Sequence, residues 1–277
     1  MSQKKARLFC EINPFCYALS VQKGIIKRHI KNFFGKEKIA KTKSTGKLPN
    51  IVWEHSSNMI KRAPGVNLEH QLNKADNIAI AGGKINGIVI HPGEIFSFWK
   101  TVGKPSKRNG YKEGRIIKNE RLISGVGGGL CNLGNTLHLL VLHSPLKVTE
   151  FHKHSDALAP DEGKRVPFSA GTSVGYNYID YCFENNTDQD VQLLVWCEGE
   201  TLHAQLRSET PFEHKYEIFE EGHCFKKEGE KYYRNSKIYR NIIDANTDEV
   251  VKKELILNNH SEVLFDYDLI PKELIEF

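Results

Sequence analysis

The sequence predicts an α+β fold, in which a helix that carries a cysteine packs on an antiparallel β-sheet and a β-rich C-terminal part follows. The first observation is a glycine-rich run at 125–129, followed by Cys131 and an apolar segment that extends to Leu142. Glycines permit a tight turn, and the long apolar segment favours a buried helix. The second is the alternation of side chains between 173 and 206, interrupted by turn residues, which predicts an antiparallel meander. The third is that the sequence after Pro211 is charged and contains several segments that favour β-strands, which predicts the β-rich C-terminal part.

The first 48 residues are predicted to form a basic arm. They contain 12 Lys or Arg against 2 Asp or Glu, a net charge of +10, whereas the remaining residues contain 27 against 32, a net charge of −5. Apolar residues between Ile25 and Phe33 recur at helical spacing with basic residues between them, which is typical of a basic amphipathic helix. Such a helix either lies on a membrane surface or packs on the body of the protein. Residues 36–47 are then expected to form a linker.

The remaining elements follow from periodicity and turn signals. A helix at 67–80 is expected to end at Gly82-Gly83, because paired glycines weaken a helix. Ser144-Pro145 is expected to end the cysteine helix. Strands are expected at 85–90, 96–98, 114–117, 121–123, 147–151, 191–197 and 202–206, with further short strands after 211. We therefore divide the chain into a basic arm and linker (1–48), a central domain (49–208) and a β-rich C-terminal extension (209–277).

Several functional classes are disfavoured by composition. No stretch resembles a secretory signal, and no window of about 18 apolar residues indicates a membrane span. The six cysteines have no paired spacing, which favours free thiols in a reducing compartment over a disulfide framework or a zinc site. We expect no metal and no cofactor. Nucleic acid is an unexpected partner, because the body is net acidic and has no recognised motif. The expected location is cytoplasmic, peripheral to the inner membrane face if the arm binds lipid.

Cys131 is the candidate nucleophile. A cysteine at a helix N-terminus lies near free N–H groups and the positive end of the dipole, which favour the thiolate. His138 shares its helix face but lies roughly 10 Å along the axis. His152 and His154 follow the next strand, so a cysteine–histidine pair on two rigid elements is expected, with Asp180 orienting the imidazole. The alternative is that Cys131 is a small core residue beside a structural glycine turn.

Five motifs together resemble the VanW family, over about residues 67–200. They have the family's order and approximate spacing. The motifs are Pro92-Gly93-Glu94-Ile95-Phe96-Ser97-Phe98, Gly110-Tyr111-Lys112-Glu113, Gly125-Val126-Gly127-Gly128-Gly129-Leu130-Cys131, His152-Lys153-His154-Ser155, and Asp180 through Asn185-Asn186-Thr187.

This resemblance implies a link to vancomycin resistance or cell-wall metabolism. Secreted members of the family are similar to cysteine-dependent L,D-transpeptidases, which cross-link peptidoglycan stem peptides through a thioester. By this resemblance Cys131 matches the nucleophile, His154 matches the histidine, and His152 matches a position that is often histidine. The family commonly has an aspartate where this chain has Gly171. Asp180 would then have to orient the histidine.

Three functional interpretations stay open. The first is a cysteine acyltransferase or amidase that acts on peptidoglycan-type peptides, with backbone N–H groups at 130–132 stabilising the oxyanion. Its order of cysteine and then histidine is similar to that of papain and the transglutaminases. The second is a non-catalytic accessory protein that binds a cell-wall precursor, and the third is an accessory protein held at a membrane surface by the arm. The expected substrate contacts are Gly127, Gly128, Gly129, Asn132, Phe98 and Tyr111.

Overall fold

The computed structural model describes residues 8–62, 67–118, 121–161 and 165–276, which form an α+β fold as predicted. The helices are α1 (Pro14–Phe34), α2 (Leu68–Ile85), α3 (Phe98–Val102) and α4 (Leu130–Leu142), with short 3-10 helices at Phe9–Glu11, Lys107–Asn109, Tyr267–Leu269 and Lys272–Leu274. The strands are β1 (Asn50–Asn58), β2 (Ile88–Ile90), β3 (Ile95–Ser97), β4 (Glu113–Lys118), β5 (Arg121–Val126), β6 (Lys147–Glu150), β7 (Cys182–Glu184), β8 (Val191–Glu198), β9 (Thr201–Ser208), β10 (His214–Glu228), β11 (Lys231–Asp244), β12 (Val250–Glu262) and β13 (Ile275–Glu276).

The strands belong to three sheets and one hairpin, and nearly all pairs are antiparallel. One sheet has the order β1-β9-β8-β2, a second has the order β3-β7-β6, and β4 and β5 form the hairpin. The C-terminal strands form a sheet of their own in the order β12-β11-β10-β13, in which β13 is parallel to β10. The predicted β-rich C-terminal part is therefore present, with longer strands than the sequence pattern indicated. The domain boundaries at 48/49 and 208/209 stay a prediction.

Helix α4 lies at the centre of the main core. Of its 13 residues, 11 are buried, and it packs against α2, β1 and β9. A helix that is buried on nearly every side has no solvent face, so it is stable only where other elements surround it. This packing fixes the position of Cys131, the second residue of the helix.

The prediction that Gly82-Gly83 ends α2 is wrong. The helix continues to Ile85, because Gly82 lies against β8, where an ideal Cβ would be 2.9 Å from Val195 Cγ1. The glycine allows close approach of helix and sheet instead of ending the helix.

The predicted linker at 36–47 is instead attached to the sheets. The N–H of Ala40 donates to the Ile95 carbonyl at 3.0 Å, and the N–H of Val89 donates to the Thr42 carbonyl at 2.9 Å. Strand β1, which the sequence pattern did not reveal, begins directly after this segment and pairs with β9. Within the described ranges, no helix is both long and apolar enough to cross a bilayer.

Candidate functional site

A cavity of about 680 Å³ lies where the glycine turn, the start of α4 and residues of 154–161 and 165–179 meet. Its walls include Gly127, Gly129, Cys131, Asn132 and His154. Five of the predicted site residues therefore share one cavity. Its volume is within the roughly 300–1,000 Å³ typical of small-molecule sites.

The glycine turn is required by close contacts with β4 and α2. An ideal Cβ on Gly128 would be 2.2 Å from the Gly114 carbonyl carbon, and one on Gly129 would be 2.0 Å from Lys74 Cγ. Gly129 also has φ +94°, a conformation that glycine adopts without strain. The Gly128 carbonyl accepts a hydrogen bond from Asn77 at 3.0 Å. Gly128, predicted to contact substrate, thus packs against β4 and supports the turn.

Cys131 is partly exposed, and its Sγ lies 4.0 Å from the Val174 carbonyl oxygen. Burial raises the pKa of this thiol, and the backbone groups at Val174 and at Cys131 itself, which lower it, do not compensate. Desolvation of the charged sulfur outweighs these two backbone groups, which runs against the thiolate predicted at the start of the helix.

Asn132 lines the cavity, but it offers a ligand its side chain and not the backbone N–H that was expected to stabilise an oxyanion. Its N–H donates to the Gly129 carbonyl at 3.0 Å, so that N–H is already engaged. Its side-chain Oδ1 is buried and has no hydrogen-bond partner in the part of the chain that the structure describes. A buried acceptor at a cavity wall is suited to a ligand N–H or hydroxyl group.

His154 is held at the cavity wall by a short pair of extended segments. Its N–H donates to the Gly171 carbonyl, and the N–H of Ser173 donates to the His152 carbonyl, both at 2.8 Å. Val174, the residue after Ser173, is the one whose carbonyl lies near Cys131 Sγ. Segment 171–174 thus connects the histidine to the thiol.

The imidazole of His154 is oriented by a backbone carbonyl. Its Nδ1 lies 2.7 Å from the Ser155 carbonyl oxygen, whereas Nε2 is buried and makes no hydrogen bond of normal geometry to any described residue. Burial lowers the pKa of His154, although the Ser155 carbonyl, the Asp156 charge and the Thr172 backbone act to raise it. The ring is therefore neutral at pH 7, with Nδ1 as the donor.

Two other predicted catalytic residues lie elsewhere. His152 is exposed, and its Nε2 lies 3.0 Å from Glu150 Oε1, which is outside the cavity lining. Asp180 is buried and accepts hydrogen bonds from the Ser97 hydroxyl at 2.6 Å and the Trp99 N–H at 3.0 Å. These bonds cap the start of α3, so the prediction that Asp180 orients the histidine is wrong.

The predicted aromatic contacts, Phe98 and Tyr111, are also corrected. Phe98 is 0 % exposed and Tyr111 is 1 % exposed, and both belong to the main hydrophobic core. The aromatic side chains that line the cavity include Tyr176 and Tyr178, which sequence reasoning did not select.

Asp156 is the carboxylate that sequence reasoning missed. It lines the cavity, and its charge acts to raise the pKa of His154. Burial is the largest influence on its own pKa, but Arg165 and Arg234 together hold that pKa below its usual value. An ideal Cβ on Gly171 would lie 3.4 Å from Asp156 Cβ, so Asp156 borders the position of the aspartate expected from the family pattern. The sequence signal that could have identified Asp156 is its position two residues after His154.

Lys74 gives the cavity a cationic wall. Burial, aided by the charges of Lys61 and Arg115, lowers its pKa to about 8, so it is still mostly charged at pH 7. Among the described residues, no group of three or more His, Cys, Asp or Glu side chains is arranged to hold a metal ion.

Comparisons with known proteins find a family match and two relatives. A family model described as VanW like protein matches residues 73–207, a range that includes the glycine turn, Cys131 and His154. Vancomycin B-type resistance protein VanW of Enterococcus faecalis is 26% identical over 218 residues, which cover 79% of this chain and 79% of that protein. Uncharacterized protein YoaR of Bacillus subtilis is 29% identical over 136 residues, which cover 49% of this chain and 43% of that protein.

No solved structure matches the chain at a significant level. The family model and the E. faecalis relative agree with each other, and residues 73–207 of the chain match the VanW-like family.

Proposed function

We propose that this protein acts in glycopeptide resistance or cell-wall metabolism, as a cysteine-dependent acyltransferase or amidase on peptidoglycan-type peptides. One observation carries the proposal: a neutral, carbonyl-oriented imidazole at His154 lines the same cavity as the Cys131 thiol, and its Nε2 is buried without a normal hydrogen bond. The name of the E. faecalis relative supports the link to vancomycin resistance.

In this proposal the thiol is activated at the moment of attack. Nε2 of His154 takes the Cys131 proton while Sγ attacks the amide carbon, which gives a tetrahedral oxyanion and an imidazolium. The imidazolium then returns the proton to the leaving amine, the C–N bond breaks, and a thioester is left on Cys131. Water or an acceptor amine attacks the thioester and releases the thiol. The order of thiol on a helix and imidazole after a strand is that of papain or a transglutaminase, by analogy only.

Charge at the two reacting groups is compensated by neighbouring residues. The N–H groups of Leu130 and Cys131 begin α4 and are assigned to the oxyanion, because the N–H of Asn132 is engaged with Gly129. Asp156 favours the imidazolium that forms on His154. Lys74 and Arg115, on the cavity wall, suit a peptide that bears carboxylates.

The proposal is tested by mass spectrometry of the protein after incubation with synthetic peptidoglycan stem peptides. We expect a thioester adduct on Cys131 that is absent from Cys131→Ala and that forms about 100-fold more slowly in His154→Gln. Cys197→Ala, which removes another half-buried free thiol, is the matched control and is expected to form the adduct normally.

The second candidate is a non-catalytic binding protein for the same kind of precursor. It is favoured by the raised pKa of Cys131 and by the orientation of its thiol towards the Val174 carbonyl. In that case stem peptides bind wild type and Cys131→Ser equally well, as measured by calorimetry, and no adduct forms. Absence of both binding and adduct would contradict both candidates. Cytoplasmic location stays a prediction.

A further inference from the structure

Helix α1 presents an apolar face to solvent. Phe15 is 70 % exposed, Ile26 is 57 % exposed and Phe33 is 82 % exposed. With Leu19 and Ile30 these residues recur at intervals of three, four and seven, so they form one continuous stripe along the helix. We call these five residues the apolar stripe.

The opposite side of α1 is fixed to the body of the protein. Arg28 forms a two-point ion pair with Glu150, with Nη1 2.7 Å from Oε2. Gly24 lies against Tyr178, where an ideal Cβ would be 2.9 Å from Tyr178 Cβ, and Tyr17 hydrogen-bonds Tyr178. Because Tyr17, Gly24 and Arg28 share this inner face, the apolar stripe is directed away from the body.

Basic side chains lie beside the apolar stripe. Lys23 and Lys27 are exposed on the side of α1 next to the stripe, and further exposed lysines, Lys36, Lys38 and Lys41, lie in the segment that follows the helix. The stripe thus has a positively charged border, within an arm whose net charge is +10 over residues 1–48.

We propose that α1 lies in the surface plane of an anionic lipid bilayer, with the apolar stripe among the acyl chains and the lysines at the headgroups. Long lysine side chains can reach the headgroups while their stems stay near apolar surface. Charge complementarity favours anionic lipid over a second copy of the chain, because two such helices would bring lysines of like charge together. Helix α1 lies on the bilayer instead of crossing it, since its inner face is occupied by the body.

This arrangement brings the cavity close to the membrane-bound helix. Tyr178, which contacts α1, also lines the cavity that contains Cys131. The membrane proposal itself is independent of catalysis at that cavity.

The test is co-sedimentation of the full chain with vesicles of phosphatidylcholine and phosphatidylglycerol, compared with vesicles of phosphatidylcholine alone. We expect binding to the anionic vesicles that weakens as salt is added. The double variant Ile26→Glu/Phe33→Glu should bind at least tenfold more weakly, because it places carboxylates within the stripe. Lys23→Gln/Lys27→Gln should weaken binding by roughly 30-fold, through loss of two charges near the surface.

The matched control is Val250→Glu/Leu255→Glu, which alters two side chains on β12 that are each about 55 % exposed. It should bind vesicles like wild type, and circular dichroism should show that all variants are folded. Equal vesicle binding by wild type and Ile26→Glu/Phe33→Glu would overturn the proposal. An absence of vesicle binding by wild type would also overturn it. The same holds if wild type does not bind vesicles and light scattering shows a dimer that these two substitutions abolish, because the stripe would then be a dimer interface.

Discussion

Asp180 is a buried carboxylate and Asp156 a half-buried one, both near motif residues, yet only Asp156 belongs to the cavity. Asp156 shares a loop with His154, and its charge acts on that imidazole. Asp180 accepts hydrogen bonds from the Ser97 hydroxyl, the Trp99 N–H and the Tyr181 N–H. The sequence could not separate these roles, because each depends on which donors the fold brings within about 3 Å.

We predict that Asp180→Ala destabilises the fold without altering the chemistry of Cys131. It leaves three donors without their acceptor, at about 1–3 kcal/mol for each buried group, so the free energy of unfolding should fall by about 3 kcal/mol or more. Urea denaturation measures this change, and iodoacetamide labelling with peptide mapping measures reactivity of Cys131 in the folded protein.

The matched control for this prediction is Asp76→Ala. Asp76 pairs with Lys112 on the surface of α2, so its loss should cost less than about 1 kcal/mol. A stable Asp180→Ala protein with slower labelling of Cys131 would instead place Asp180 in the reaction.

At the scale of elements, the glycine turn and α4 act as one unit. The turn passes so close to β4 that Gly128 and Gly114 are in backbone contact, and this contact sets where α4 begins. The sequence indicated both the turn and the helix, because glycine clustering and an apolar run are local signals. The sequence did not indicate that the turn packs against β4, because this contact forms only in the folded protein.

We predict that Gly128→Ala destabilises the protein by about 2–3 kcal/mol or more, because its Cβ would be 2.2 Å from the Gly114 carbonyl carbon and the turn would have to move. Denaturant unfolding gives the free energy. The control is Gly83→Ala, a helix position with nothing within 4 Å of an ideal Cβ, which should be neutral or stabilising by up to about 1 kcal/mol. Equal stability of the two variants would contradict the close contact.

Other elements show where local signals were overridden. The glycine pair predicted an end to α2, but burial of Gly82 against Val195 extends the helix past it. The alternation after Ser173 predicted a long strand, yet within that stretch only Cys182–Glu184 is β7, and the earlier part wraps the cavity. The intrinsic helix or strand preference of a residue predicts its structure poorly where tertiary contacts supply the backbone partners.

At the scale of the whole molecule, the C-terminal sheet is joined to the cavity by buried charges. Arg165 pairs with Asp156 and with Glu220 of β10, at 2.8 Å for the latter, and the fully buried Arg234 of β11 pairs with Asp161 at 2.8 Å. The loop that bears His154 is thus supported by strands more than 50 residues further along the chain. Removing such charges from water costs free energy, so the network is stable only when each charge has its partner.

The stability of the whole protein should also depend on pH through His138. This side chain is 3 % exposed, stacks on Phe151 and bonds the Tyr181 hydroxyl through Nδ1 at 3.1 Å. Burial lowers its pKa to about 3, against 6.5 for an exposed histidine. Between these values the unfolded chain binds a proton that the folded protein does not, so stability is complete above about pH 6.5 and falls towards pH 3.

We predict that wild type loses about 2 kcal/mol more than His138→Gln between about pH 7.5 and about pH 5, measured by urea denaturation at each pH. His260→Gln, at an exposed histidine paired with Glu228, is the control and should follow wild type. If the free energy of unfolding of His138→Gln changed with pH as that of wild type does, the inference that His138 is buried in its neutral form would be contradicted.

The sequence by itself determined the α+β class, the turn before α4, the helical arm, the β-rich C-terminal part and the match of residues 73–207 to the VanW-like family, because these depend on local periodicity and ordered motifs. Tertiary structure alone decided that Cys131 and His154 share a cavity, that Asp156 and not Asp180 acts on the imidazole, and that the thiol pKa is raised. It also decided that α1 presents its apolar residues outward. The physical reason is that burial, hydrogen-bond partners and electric fields depend on residues far apart in the chain, and folding brings them together.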